Sequence, residues 1–455
     1  MKMRHFILGS LITFSGLAMQ AQEKRPLSLD EAISLATTKS NEASLADTRV
    51  TTARLDADNV KNNIYPDFKV SGQYIGLTDP TVKLRIPFQA GDTGEPVEGE
   101  SSTTASPQIN RILIAQANLS LPLFSGFRLR NSINAAEDMY QAQTFNSANA
   151  KEQLAMQAIV LYVNLYKAQQ SVSLIEENLK TANQRVKDFT AMEQNGLLAR
   201  NDLLKSQLQS SNIELTLEDA RKKVATINYQ LATLLKLPEG TEITPDAAYF
   251  TNTTSVKPSA TQEEAIAQRN DLKALRWQEK AAQANIKVAN ADYYPSIALT
   301  AGYVALDIQN VVQVYNAANF GVGVSYDISN IFKNNKKVKA ARSRAEETKF
   351  QLATLTDRVK VQVKESLENY NLSLKQSKVY AQAMEQAAEN YRIVKDKYDN
   401  GLVDTNDLLE ADVEKLQAQL NEAFSKADVT QRYYELLNVS GKLTDSFNLQ
   451  SNQSK

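Results

Sequence analysis

Gly196-Leu197-Leu198-Ala199-Arg200-Asn201-Asp202-Leu203-Leu204 and Gly401-Leu402-Val403-Asp404-Thr405-Asn406-Asp407-Leu408-Leu409 state one pattern twice, 205 residues apart. The offset holds back to Leu119-Ser120-Leu121 against Val324-Ser325-Tyr326, so a unit of strand, long helix, glycine turn and returning helix is present in two copies. Upstream the offset grows: Tyr65-Pro66 answers Tyr294-Pro295 at 229, and Glu31-Ala32-Ile33 answers Glu264-Ala265-Ile266 at 233. The change places an insertion of about two dozen residues in the first copy, within 78–110, where Gly, Pro, Ser, Thr and Glu predict a long loop between two strands. The chain divides into a first repeat (22–240), a linker (241–260), a second repeat (261–440) and a tail (441–455). Each repeat is a lead-in helix, a β-hairpin (67–121 and 296–328) and a helical hairpin (127–237 and 334–438).

Residues 1–21 carry Lys2 and Arg4, an apolar run from Phe6 to Ala18 and small residues suited to cleavage after Ala18 or Ala21, the pattern of a secretory signal peptide. That run is too short for a membrane helix, and no later stretch reaches the roughly eighteen apolar residues such a helix needs. There is no cysteine, which excludes disulfides, thiolate metal sites and a lipidated N-terminal cysteine; the single histidine, His5, lies in the signal. The two residue types that most often activate nucleophiles or bind transition metals are thus absent from the mature chain, so neither an enzyme, a catalytic residue, a metal site nor a cofactor is expected. A net charge of −1, without a clustered basic excess, argues against nucleic acid as partner.

From Leu154, apolar or small residues recur at alternating spacings of four and three through Ala158, Leu161, Leu165, Ala168, Val172, Ile175, Leu179, Ala182, Val186 and Phe189, a sustained heptad seam. The Pro-free span 129–195 would make a helix of roughly 100 Å, and 334–400 repeats it. Helices of this length need a partner throughout, and the spans after each glycine turn, 202–237 and 405–437, return antiparallel as coiled-coil hairpins. The amphipathic lead-in stretches 28–63 and 261–292 either extend the returning helices or pack beside them.

Between the helices the period changes to two. In 112–121, Leu113, Ala115, Ala117, Leu119 and Leu121 alternate with Gln116, Asn118 and Ser120; in 320–328, Phe320, Val322, Val324, Tyr326 and Ile328 alternate with Gly321, Gly323, Ser325 and Asp327. Their hairpin partners are 68–77 and 296–306. Each is about ten residues, the length of a tilted membrane strand, and Tyr65, Tyr293, Tyr294, Phe124, Phe127 and Phe332 cluster where an aromatic girdle would sit. Soluble hairpins capped by aromatics would give the same signal; the signal peptide favours an outer membrane. Four strands cannot close a barrel, because about eight is the minimum and open edges in hydrocarbon leave backbone groups unpaired at several kcal/mol each. The strands therefore require several copies to share one barrel, with three copies and about twelve strands the simplest closure. The fold class is an α+β membrane protein with internal duplication, four transmembrane strands per protomer, and helical hairpins gathered into a coaxial α-barrel. Its shape is that of a conduit.

The chain resembles the TolC-like outer-membrane efflux family over nearly its whole mature length. The resemblance is carried by Leu27-Ser28-Leu29-Asp30-Glu31-Ala32-Ile33, by Pro122-Leu123-Phe124-Ser125-Gly126 at the strand exit, and by the paired Gly-Leu-x4-Asp-Leu-Leu turns. It implies a homotrimer with a β-barrel among outer-membrane lipids of a Gram-negative-type bacterium and a periplasmic helical tunnel. It also implies docking to a periplasmic adaptor (membrane fusion) protein and an inner-membrane pump, and passive conduction of exported substrates. By the family's pattern, Gly196, Leu197, Gly401 and Leu402 are periplasmic tips and adaptor contacts, although any tight helix-to-helix turn also calls for glycine. Asp407 and Glu410 stand three apart on one helix face, where a trimer would gather six carboxylates at a pore constriction. Asp202 holds the matching place in the first copy, but Lys205 follows it, so the ring need not be doubled; helix capping is the competing role for Asp202 and Asp407. Tyr398 resembles a tyrosine of the closed-state network in relatives, and Val403 stands where a basic partner would be. The second copy departs from the strand-exit pattern with Tyr326-Asp327-Ile328-Ser329-Asn330. Two rival readings are a periplasmic coiled-coil scaffold or adaptor without a pore, and a carboxylate-based hydrolase. The alternating strands oppose the first and the scatter of acids over helix faces opposes the second.

Overall fold

The computed structural model describes residues 24–78, 109–251 and 261–447; residues 1–21, expected to be a signal peptide, and most of the stretch 78–110, expected to be a long loop, lie outside these described residues. In chain order the elements are β1 (Lys24–Leu27), α1 (Leu29–Lys39), α2 (Asn41–Asn62), β2 (Asp67–Gly76), β3 (Arg111–Ser125), α3 (Arg128–Gln194), α4 (Arg200–Leu234), β4 (Glu242–Pro245), α5 (Ala248–Thr251), α6 (Gln262–Gln268), α7 (Asn270–Asn290), β5 (Ser296–Ile308), β6 (Val312–Ser325), α8 (Asn330–Asp399), α9 (Thr405–Val439) and α10 (Leu443–Ser446). They form two compact units, each drawing on both repeats: one of residues up to 47, 146–270 and from 356 onward, the other of 48–145 and 271–355.

The duplication is visible in the elements themselves. Helices α4 and α9 are both 35 residues long and start 205 apart, while α3 and α8 run for 67 and 70 residues. Each lead-in stretch is two helices separated by one extended residue, Ser40 (ψ 152°) in the first copy and Arg269 (ψ 129°) in the second. Ser28 and Thr261 cap the leading members through hydroxyls that accept from the N–H of Glu31 and Glu264. Because α1 has 11 residues and α6 has 7, the copies differ by about one helical turn, which is where the offset falls from 233 to 229.

In the first unit the heptad seam is buried or half-buried at every position from Leu154 to Phe189. Its main core packs Leu27, Leu29, Ile33, Ile159, Leu231 and Leu235 from the first copy with Ala427, Leu437 and Leu443 from the second. Within 241–260, read from sequence as a linker, Ile243 and Phe250 contribute to this core. β4 pairs in parallel with β1, and Ile243 and Phe250 are fully buried. The Tyr162 hydroxyl donates to the Leu27 carbonyl and accepts from the Asp246 N–H, both at 2.7 Å, clasping the two short strands; burial pushes its pKa up to about 12. Phe250 stacks on Tyr166 with ring centroids 3.9 Å apart. Nearer the glycine turns, Arg185 of α3 and Asp412 of α9 form a buried ion pair at 2.9 Å, and the Asn178 side chain also donates to Asp412.

The second unit holds a four-stranded antiparallel sheet in the order β2-β3-β5-β6, so the central β3–β5 pairing joins the two repeats. The registers place Phe68, Val70 and Tyr74, then Leu113, Leu119 and Leu121, then Ile297, Leu299 and Tyr303, then Phe320, Val322 and Val324 on one face. That face is apolar across all four strands yet uncovered, with Phe320 91% and Val70 72% exposed. The opposite face carries Lys69, Gln73, Gln116, Asn118, Thr300 and Asn319. The outer edges of β2 and β6 are unpaired among the described residues. β6 begins at Val312, earlier than the alternation from Phe320 predicts, because a bulge opposite Ala305 with Asn316 in the left-handed region (φ 59°) shifts the parity of the strand.

Two outcomes follow. Asp412→Ala leaves the Arg185 guanidinium buried without a counter-charge and is expected to cost about 3 kcal/mol, while Arg185→Met with Asp412→Leu costs clearly less, read by thermal unfolding of the helical signal in detergent. At Gly126 (φ 60°) an added Cβ would lie 2.5 Å from the Ala291 carbonyl oxygen, whereas the one at Gly196 meets nothing within 4 Å. Gly126→Ala is therefore expected to destabilise by about 2 kcal/mol and Gly196→Ala by about 1 kcal/mol in the same measurement.

Candidate functional site

The two helix-to-helix turns are built alike. The Gly196 and Gly401 backbones both adopt φ 73°, a conformation that favours glycine. The N–H of each glycine donates to the carbonyl three residues back (Glu193, Tyr398; 2.9 Å), and the next N–H donates to the carbonyl five back (Met192, Lys397; 2.8 Å), the paired bonds of a Schellman motif. The carboxamides of Asn195 and Asn400 donate to the carbonyls of Ala191 and Asp396, both at 2.7 Å. With the carbonyls occupied, the following side chains, Leu197 and Leu402, stand 73% and 74% exposed.

Charge separates the two tips. Residues 396–414 hold Asp396, Asp399, Asp404, Asp407, Glu410, Asp412 and Glu414 against Lys397 alone, whereas in the equivalent 191–209 Glu193 and Asp202 balance Arg200 and Lys205. In the second copy Asp404 caps α9: its carboxylate accepts from the N–H groups of Asn406 and Asp407, and the Asp407 carboxylate accepts from the Asp404 N–H at 3.4 Å. Asp407 is thus a capping-box member with an exposed side chain, and Glu410 lies exposed one turn on. In the first copy Ala199 offers no side-chain cap, and Asp202 pairs with Lys205 at 3.5 Å.

Tyr398 stacks on Phe189 with centroids 5.8 Å apart, which joins the second hairpin to the first beside the tips. The Gln209 side chain donates to the Leu409 carbonyl at 3.5 Å, a further link between the hairpins. Sequence reading passed over Arg185, Asp412 and the cap at Asp404. The available signal was phase: Arg185 is three residues after Ala182 and four before Phe189, and Asp412 is four after Leu408, so both charges fall in step with buried positions.

At the other candidate position, Pro122, Leu123 and Phe124 end β3 at a bulge, Gly126 turns the chain against Ala291, and Phe124 meets Phe127 edge-on at 5.3 Å. The second copy leaves its sheet differently: Asp327 accepts from both the N–H (3.0 Å) and the hydroxyl (2.6 Å) of Ser329, an Asx-type turn ahead of α8. Beneath the strands Asp292 is ion-paired to Arg128 and to Lys337. Along β3 the apolar face runs from Leu113 to Leu121, about 27 Å of strand and roughly 20 Å in height once tilted as membrane strands are. Among the described residues no helix is long and apolar enough to cross a membrane.

Residues 262–442, nearly the whole second repeat, match the family described as "Outer membrane efflux protein". The chain is similar to the outer membrane efflux protein BepC of Brucella suis, 26% identical over 344 residues that cover 74% of each chain. It is also similar to the cation efflux system protein CusC of Escherichia coli, 26% identical over 264 residues, 55% of this chain and 54% of that one. The solved structure of VceC from Vibrio cholerae shares the fold with a TM-score of 0.73 at 17% identity, covering 91% of this chain and 96% of that one. Duplicated helical hairpins, a four-stranded sheet with an uncovered apolar face, and these likenesses lead to one conclusion: the second repeat matches the outer membrane efflux protein family, and the chain as a whole is similar to its TolC-like members in sequence and in fold.

Proposed function

We propose that this protein is the outer-membrane exit duct of a tripartite efflux or secretion system, conducting substrates passively across periplasm and outer membrane. The observation that carries this reading is the sheet: an apolar face continuous over four strands, polar residues on the reverse, and two edges unpaired among the described residues. Such a face is stable against lipid and such edges are stable only when paired, so copies of the chain complete one another's barrel, three giving twelve strands. The polar face then lines the lumen. A periplasmic scaffold without a pore would leave that apolar surface in water, which sets this alternative aside.

The tips are the surfaces offered to partners. The exposed Leu197 and Leu402, on turns of equal geometry, are apolar contacts for a periplasmic adaptor, which in turn joins the duct to an inner-membrane pump. Asp407 and Glu410 of three protomers ring the entrance and favour cations over anions, while Asp202, paired with Lys205, adds little charge. Tyr398 holds the second hairpin to the first at the same level. The pump supplies the energy, and the duct catalyses no reaction.

The native mass of the protein extracted in detergent from a membrane fraction tests the reading. A trimer is expected, and a soluble monomer would return the chain to the scaffold. In planar bilayers, Asp407→Asn with Glu410→Gln is expected to lower the cation-to-anion permeability ratio severalfold, whereas Asp202→Asn leaves it nearly unchanged; equal effects would remove Asp407 and Glu410 from the constriction.

A further inference from the structure

The dipeptide Asn-Gly occurs twice in this chain, at Asn195-Gly196 and Asn400-Gly401, and both stand at the tips. Asparagine followed by glycine is the sequence most prone to spontaneous deamidation, because without a Cβ the glycine nitrogen can approach the neighbouring side-chain carbonyl carbon. In the folded turns both reacting groups are engaged elsewhere. The glycine N–H donates to a carbonyl three residues back at 2.9 Å, and the carboxamide is drawn back along the helix to a carbonyl four residues earlier at 2.7 Å. Both sites are nonetheless exposed, with open space around the glycine.

We propose that Asn195 and Asn400 are deamidation sites whose reaction is gated by unwinding of the tip turns. Once a turn opens, the glycine nitrogen bonds to Cγ of the asparagine and the Cγ–Nδ2 bond breaks. Nδ2 leaves as ammonia, taking the proton from the glycine nitrogen. Water then opens the resulting succinimide, adding hydroxyl to one carbonyl carbon and hydrogen to the imide nitrogen, and yields aspartate or isoaspartate without any redox partner. The product cannot restore the turn. A carboxylate has no N–H to donate to the Ala191 or Asp396 carbonyl, it sets negative charge at a helix C-terminus, and isoaspartate lengthens the backbone by one carbon. The consequence for adaptor docking rests on the proposed function, whereas the modification itself is independent of it and is read by mass alone.

The test uses the full chain in detergent, incubated at mildly alkaline pH, with deamidation at each tip followed by peptide mass spectrometry against synthetic peptides of residues 191–201 and 396–406. Both asparagines are expected to react much more slowly in the protein than in the peptides. Asp404→Ala, which uncaps the helix after Gly401, is expected to speed Asn400 about fivefold, the population change that loss of an N-cap produces, while Asn195 in the same molecules keeps its rate. Asp404→Ser, which retains an N-cap acceptor, is expected to stay near the parent rate. Peptide-like rates in the intact protein, or an Asn400 rate indifferent to Asp404→Ala, would overturn the proposal.

Discussion

Backbone left unpaired among the described residues at the edges of β2 and β6 is the constraint on which the rest of the molecule depends. An N–H or carbonyl left without a partner in hydrocarbon costs several kcal/mol, and a strand edge presents a row of them. In the proposed duct the uncovered apolar face places those edges in lipid, so closure by further copies is a condition of insertion. Polar residues such as Lys69, Gln116, Asn118 and Asn319 then fall on the inside as a consequence of strand alternation.

The helices meet a second constraint. Helices of 67 and 70 residues cannot be sustained by intrinsic propensity, and each acquires a returning partner of 35 residues together with contacts from the other copy. Contacts between the copies are of different chemistry along the hairpins. Around Tyr162 and Phe250 they are apolar and aromatic, closed by a two-stranded ribbon; near the tips they are the buried Arg185–Asp412 pair and the Tyr398–Phe189 stack. A buried ion pair adds little net stability compared with apolar packing, but it penalises any arrangement that separates the charges, and so it specifies how the hairpins meet.

Duplication supplied two tips of one geometry, and substitution made them unlike. Both turns share φ 73° at glycine and the same hydrogen bonds, yet only the second is strongly acidic, and of the two returning helices α9 has a side-chain cap where α4 has none. The capping role of Asp407 does not compete with a role in conduction, since the carboxylate that accepts from the Asp404 N–H remains exposed to solvent. The two strand exits diverged in the same way, one relying on Gly126 and the other on Asp327 and Ser329.

Local and periodic features were legible in the sequence: the two copies, the heptad seam from Leu154 to Phe189, the glycine turns, and the alternation in β3. Each is set by neighbours within a few residues, through the periods of 3.5 and 2 that helix and strand geometry impose. The tip turns at Gly196 and Gly401, with Asp202 and Asp407 six residues beyond them, were legible for the same reason, as repeats of a short motif. Only the tertiary structure decided the pairing of β1 with β4, the burial of Ile243 and Phe250, the bulge at Asn316 and the meeting of Arg185 with Asp412. These join residues distant in the chain or break the local period, and no pattern within a single helix or strand records which partner will lie opposite.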